Sequence, residues 1–134
     1  GTAGVNVTTT AWNVIPGLTQ TVNVPANSTV ILLTDGGTQT QAAAGGFSTV
    51  DVALYMYGAL TSNAGFKRLT VLNPPSQTGA FGYWTAGLAL NLSPGNYTFD
   101  VRTRLATSSS SPITVSGNNT TVLQGQLTVI IVKR

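Results

Sequence analysis

The chain has 134 residues and no cysteine, so it has the length of one domain and excludes both a disulfide framework and thiolate chemistry. Charged residues make up only 7% of the chain, against about a quarter of a typical soluble domain. The net charge of +3 is the difference between six cations and three acids. The cations lie in three separate pairs: Lys67 and Arg68, Arg102 and Arg104, Lys133 and Arg134. A nucleic-acid surface needs clustered cations with interleaved aromatic rings, so no nucleic-acid partner is predicted.

The side chains that catalysis or metal binding would use are nearly absent. There is no histidine or glutamate, and the acids are Asp35, Asp51 and Asp100. Ser-His-Asp and Cys-His arrangements and zinc sites are thereby excluded, and Asp35 alone is too little for calcium. Asp51 and Asp100 lie within alternating segments, where they are expected to pair with Arg102 or Arg104 on neighbouring strands. We predict no catalytic residue, metal or cofactor.

In chain order, the first half predicts short β-strands separated by turns. Val5–Trp12 is the first strand, closed by the turn signal Ile15-Pro16-Gly17, and Leu18–Val24 is the second. The run Thr29–Thr34, TVILLT, is continuously apolar, which is typical of a strand covered on both faces. Asp35-Gly36-Gly37 is expected to break that strand.

The second half continues in the same way. Ser48–Tyr57 alternates strictly, Phe66–Leu72 is a further strand, and Gly79–Ala86 interleaves aromatic residues with glycine. Leu88–Leu105 predicts two alternating strands joined as a hairpin by Ser93-Pro94-Gly95-Asn96. Eight or more short strands without an amphipathic helix predict a single all-β domain over residues 1–134, a sandwich or a barrel.

The last strand is apolar on both faces. Leu127, Val129 and Ile131 form one face, and Ile130 and Val132 with a threonine form the other. A sandwich strand needs only one apolar face, so either a second layer of the domain or another copy of the chain must cover the second. Because the chain has too few charges to cover a monomer's surface, we predict an oligomer contact at Val129, Ile130, Ile131 and Val132.

Three neighbouring aromatic residues are candidate ligand contacts. Phe81, Tyr83 and Trp84 are proposed as a platform on which a sugar ring stacks, because aromatic faces pair with apolar pyranose faces. The alternative is that some of these rings fill the core while the others cover an edge or a subunit contact.

The surface composition predicts an extracellular location. Abundant threonine, serine and asparagine with few charges is typical of secreted, cell-surface or virion β-proteins. No apolar run approaches the roughly 18 residues of a membrane span, and the missing initiator methionine before Gly1 is expected of a processed or excised domain. Six glycosylation sequons, most of them expected by chance, begin at Asn6, Asn27, Asn91, Asn96, Asn118 and Asn119.

The second half resembles a known family. LALNLSPGNYTFDVRTR, followed by SGNNTTVLQGQLTVIIVKR at the C-terminus, is similar to the jelly-roll heads of the tumour necrosis factor and complement globular-head superfamily. VDVALYMYGAL fits the V-x-V-A-L-x-x-N-G pattern of those heads, with Tyr57 in place of asparagine. The resemblance implies a ten-strand jelly roll and a compact homotrimer. It transfers no site residues, because the calcium and receptor contacts of individual members are missing.

Three functions remain open, with a hydrolase as a remote fourth. The first is a non-catalytic trimeric head of a secreted, surface or fibre protein that mediates assembly and recognition of a glycan or protein. The second is a monomeric carbohydrate-binding module, and the third is a viral coat jelly roll. Self-association would distinguish the trimeric head from the monomeric carbohydrate-binding module. Formation of large shells would distinguish the coat protein from both.

Overall fold

The computed structural model describes residues 1–62, 65–117 and 122–134, within which the chain forms ten β-strands and no α-helix. The prediction of an all-β fold is confirmed. Asn118 and Asn119 lie outside the described residues. The strands are β1 (Val5–Val7), β2 (Asn13–Val24), β3 (Ser28–Thr40), β4 (Phe47–Met56), β5 (Ala59–Leu60), β6 (Phe66–Leu72), β7 (Phe81–Leu92), β8 (Gly95–Leu105), β9 (Ile113–Val115) and β10 (Gly125–Lys133).

The strands form two antiparallel sheets that pack face to face. In sheet A, β3 pairs with β7 along one edge and with β10 and then β9 along the other, and β1 pairs with β9. In sheet B the order is β2-β8-β4, and β6 and β5 share the far edge of β4. From β1 to β4 and again from β6 to β9, consecutive strands lie in alternate sheets, as in a jelly-roll sandwich.

The hairpin predicted over Leu88–Leu105 is wrong in its pairing. The two strands are there and the turn between them is tight, but β7 pairs with β3, whereas β8 pairs with β2 and β4. The turn therefore carries the chain from one sheet to the other. Alternation reveals which face of a strand is buried, but it carries no information on which strand lies beside it.

The inward faces of the two sheets form one core. Its alternating side chains are those expected from the sequence, and the largest fully buried ones belong to β1, β2, β3, β4, β8 and β9. They include Ile15, Leu18, Val30, Leu32, Val50, Val52, Leu54, Phe99, Leu105 and Ile113.

Asp35-Gly36-Gly37 does not break β3, which continues to Thr40. The reason lies in the core, where Gly36 stands opposite Trp84 of β7. A Cβ atom at Gly36 would lie 2.2 Å from Cη2 of Trp84, so only glycine leaves room for the indole. A glycine that resembles a strand breaker in the sequence is here a packing requirement.

The predicted turn at Ile15-Pro16-Gly17 is likewise part of a strand. β2 passes through it with a shift in its pairing to β8 between Val14 and Thr19, where residues 15–18 of β2 face Val101 alone. Gly17 has a φ of 78°, a value that glycine adopts without strain. Proline and glycine therefore mark an irregularity in an edge strand and not its end.

Tyr57 and Gly58 form the two-residue turn between β4 and β5. Both have positive φ, 52° and 77°, the geometry of the type I′ turn in which asparagine is preferred at the first position. The tyrosine ring packs against Tyr97 at a centroid distance of 5.8 Å, and its hydroxyl donates to the carbonyl of Asn96. These contacts offset the backbone strain of a bulky residue at this position.

Candidate interaction surface

The outward side of sheet A carries an exposed apolar patch. Leu33 on β3 and Ile130 and Val132 on β10 are 45%, 42% and 48% exposed. The pairing register places Ile31 between Ile130 on β10 and Ala89 on β7. We call Ile31, Leu33, Ala89, Ile130 and Val132 the sheet A patch. It spans three adjacent strands, and nothing in residues 1–62, 65–117 and 122–134 covers it.

The four residues predicted at an oligomer contact lie on two faces. Ile130 and Val132 point outward and belong to the sheet A patch, whereas Val129 and Ile131 are half-buried and pack against the core. The TVILLT segment, expected to be covered on both faces, is covered only on its inner side, and Leu33 is open. The second layer of the domain therefore covers one face of these strands and leaves the other bare.

Asp35 borders the sheet A patch. Its carboxylate accepts a hydrogen bond of 2.6 Å from Nε2 of Gln126, its partner across the β3–β10 pair. Within the described part of the chain, no cation lies within ion-pair distance of it. The face thus has one hydrogen-bonded acid at the border of an apolar area.

The β7 edge of sheet A is less protected than the β2 and β6 edges of sheet B. β7 has twelve residues without a charge or a proline, and in the described residues it pairs on one side only, with β3. In sheet B, edge strand β2 contains Pro16 and edge strand β6 contains Lys67 and Arg68. Prolines and charges at sheet edges oppose association with another strand. Sheet A lacks this protection along β7.

The outward side of sheet B is covered by ion pairs. Asp51 has a fully buried side chain, whose carboxylate accepts hydrogen bonds from Nε and Nη2 of Arg68 at 2.7 and 3.0 Å. Nε of Arg104 donates to the same carboxylate at 3.1 Å. Asp100 accepts from Nε and Nη2 of Arg102 at 2.6 and 3.3 Å.

Aromatic rings complete this layer. The guanidinium carbons of Arg102 and Arg104 lie 4.5 Å from the ring centroids of Tyr55 and Trp12, respectively. Trp12 meets Tyr55 edge to face at 5.5 Å and Phe66 at 6.0 Å. We call these rings, the three arginines and the two aspartates the arginine–aromatic cluster. Its members come from β4, β6 and β8 of sheet B and from Trp12, directly before β2.

The electrostatics of the cluster follow from these contacts. Hydrogen bonding to Asp51 raises the pKa of Arg68, and hydrogen bonding to Asp100 raises the pKa of Arg102. Burial raises the pKa of Tyr55 above its usual value of 10.0, although the nearby arginines oppose this effect. Arg68 and Arg102 are therefore cations at neutral pH, and Tyr55 is a neutral phenol.

The predicted pairing of Asp51 with Arg104 is confirmed, and Asp100 pairs with Arg102 on its own strand. The ion pair between Arg68 and Asp51 was not predicted. Asp51 lies opposite Arg68 on β6 and opposite Arg104 on β8, and this bracketing appears only once the strand order is known.

The three aromatic candidates do not share a surface. Phe81 and Tyr83 point outward and are 49% and 64% exposed, whereas Trp84 is 3% exposed and lies in the core. This placement corrects the expectation for Trp84, because neighbouring residues of a strand point to opposite faces. The remaining pair lies on the outward side of sheet A, on the same strand as Ala89.

Two further observations concern the described residues, 1–62, 65–117 and 122–134. They contain no group of three or more histidine, cysteine, aspartate or glutamate side chains placed to hold a metal ion. They also contain no helix with the length and apolar character needed to cross a bilayer.

No known protein-family model matches this sequence, and no curated protein matches it.

Proposed function

We propose that this chain is a non-catalytic head domain of a secreted, cell-surface or fibre protein, and that it assembles into a homotrimer and mediates recognition. The observation that carries the proposal is the sheet A patch. Its apolar side chains extend across β10, β3 and β7, and the domain's own second layer lies on the opposite side of the sheet. Exposed contiguous apolar area of this kind marks an interaction site.

A second copy of the chain is the occupant that the composition favours. The patch is bordered by one acid and has no cation among its members, so a strongly charged partner would find little to pair with. A standard interface buries about 800 Å² per partner. Closed cyclic symmetry satisfies such a face without leading to fibres, and the choice of three subunits follows from the resemblance to tumour necrosis factor-like heads.

The substitution Ile130→Arg is expected to abolish the trimer while leaving the domain folded. Ile130 is 42% exposed in the single chain, so arginine fits there without entering the core. In the assembly the guanidinium would be buried without a partner, at a cost of several kcal/mol per subunit. Light scattering at micromolar concentration measures the change from three subunits to one, and circular dichroism checks the fold.

Leu60→Arg is the matched control. Leu60 is 39% exposed but lies in sheet B, away from the sheet A patch, so this variant is expected to remain trimeric. A wild-type protein that is monomeric at micromolar concentration refutes the proposal, and large shells in place of trimers favour a coat protein. Ile131→Arg is unsuitable as a test, because Ile131 packs against the core.

A carbohydrate-binding module is the second candidate, favoured by the exposure of Phe81 and Tyr83. Alternate residues of a strand are about 7 Å apart, so two outward rings offer adjacent apolar faces to a sugar chain. The double variant Phe81→Ala, Tyr83→Ala is expected to lose binding on a glycan array by at least about tenfold. Unchanged binding by this variant would exclude the two rings as the platform, and the single variant Leu72→Ala, at another exposed apolar position, serves as the control.

A further inference from the structure

We propose that the arginine–aromatic cluster on sheet B binds an oxyanion, a carboxylate or sulfate group of a ligand, between Arg102 and Arg104. This site lies on the opposite face of the sandwich from the sheet A patch. It requires neither the trimer nor the Phe81–Tyr83 platform, so it is tested independently of the proposed function.

The cluster has an excess of positive charge on its outer side. Three guanidinium groups face two carboxylates, which leaves a net charge of +1. The carboxylates lie deep, with side-chain exposures of 0% for Asp51 and 9% for Asp100. Arg102 and Arg104 lie above them and are 23% and 32% exposed. An approaching anion therefore meets the cations first.

Unused donors remain on both arginines. A guanidinium has five N–H donors, and Arg104 donates to Asp51 through Nε alone. Its two terminal nitrogens have no hydrogen-bond partner in the described residues. Arg102 donates to Asp100 through Nε and Nη2, so its Nη1 also has no hydrogen-bond partner in the described residues. These donors are the groups that bind carboxylate and sulfate oxygens.

The two arginines are already held in place. Each guanidinium lies 4.5 Å from an aromatic centroid and is tied at Nε to an aspartate, so little side-chain entropy is left to lose on binding. Arg102 and Arg104 are alternate residues on the outer side of β8, and such residues are about 7 Å apart. Both side chains therefore start from the same face of one strand, next to each other.

The test follows the arginine Nε–Hε signals by NMR during titration with sodium sulfate and, separately, with sodium glucuronate, at an ionic strength fixed with sodium chloride. We expect saturable shifts for Arg102 and Arg104. The variant Arg104→Lys keeps the charge but loses the planar donors, and it is expected to weaken binding at least about tenfold. Lys67→Gln removes a charge elsewhere and is expected to bind as the wild type does.

The two variants separate a built site from general attraction to a basic protein. If Lys67→Gln weakens binding as much as Arg104→Lys does, the proposal is overturned, and it is also overturned if neither salt gives saturable shifts. Saturation by only one salt assigns the site to that oxyanion class. Circular dichroism checks the fold of Arg104→Lys, and Arg102→Lys, with the same expected loss, replaces it if it unfolds.

Discussion

The substitution Gly36→Ala is expected to destabilise the domain by about 3 kcal/mol, the upper end of the range for overpacking a core. The added methyl would lie 2.2 Å from Cη2 and 2.3 Å from Cζ2 of Trp84. The indole is 3% exposed and enclosed between the sheets, so it has little room to move away. Urea unfolding measures the change in the free energy of unfolding. Both proteins are compared at the same concentration, because self-association makes apparent stability depend on concentration.

Gly87→Ala provides the matched control. Gly87 is also a glycine inside a strand of sheet A, but a Cβ atom there would meet a movable methyl of Leu33 at 3.1 Å. Its effect is expected to stay within about 1 kcal/mol of zero. In a Trp84→Leu background the cost of Gly36→Ala is expected to fall sharply, since the two sites are coupled by direct contact. Equal costs for Gly36→Ala and Gly87→Ala would contradict the steric explanation.

Asp51→Asn is expected to destabilise the domain by about 3 kcal/mol, near the lower limit for breaking a buried ion pair. The neutral amide replaces a fully buried carboxylate that accepts hydrogen bonds from two arginines. The lower limit applies because Arg68 and Arg104 are partly exposed and regain some hydration. Urea unfolding again measures the loss in the free energy of unfolding.

The other two acids of the chain supply the comparison. Asp35→Asn is expected to change stability by less than about 0.5 kcal/mol, because Asp35 has an amide partner and no cation within the described residues. The destabilisation by Asp100→Asn is expected to lie between those of Asp35→Asn and Asp51→Asn, since Asp100 pairs with one arginine and Asp51 with two. The reverse order of Asp51 and Asp35 would show that the cluster does not stabilise the sandwich.

Strand faces were predictable from the sequence because alternation depends on local geometry alone. The bounds of Phe66–Leu72 are those predicted, and the outward side of Ser48–Tyr57 holds Asp51 and Tyr55 as expected. Strand partners were not predictable, since they depend on contacts between distant segments. The tight turn after Leu92 therefore gave the wrong pairing, and Arg68 was not connected with Asp51.

Glycine was ambiguous for the same reason. Gly36 and Gly17 both match the pattern of a strand end, yet one makes room for Trp84 and the other lies where the pairing of β2 with β8 is irregular. Both roles depend on how the strands pair, which the sequence does not identify. The exposed face of the last strand was only partly predictable. The apolar character of Val129 to Val132 indicated that one face is uncovered, but the placement of β10 beside β3 decides that Ile130 and Val132 are on it.

The two outer faces differ in chemistry, so a change in ionic strength has opposite effects on binding at each of them. Salt shortens the range of attraction between charges, to about 8 Å at physiological concentration, so it weakens the hold of Arg102 and Arg104 on any anion from solution. Excluded anions such as sulfate favour the burial of apolar area, so they strengthen contacts through Leu33, Ile130 and Val132. We therefore expect a dilute medium to favour the proposed oxyanion binding on sheet B, and a salty medium to favour the proposed association through sheet A.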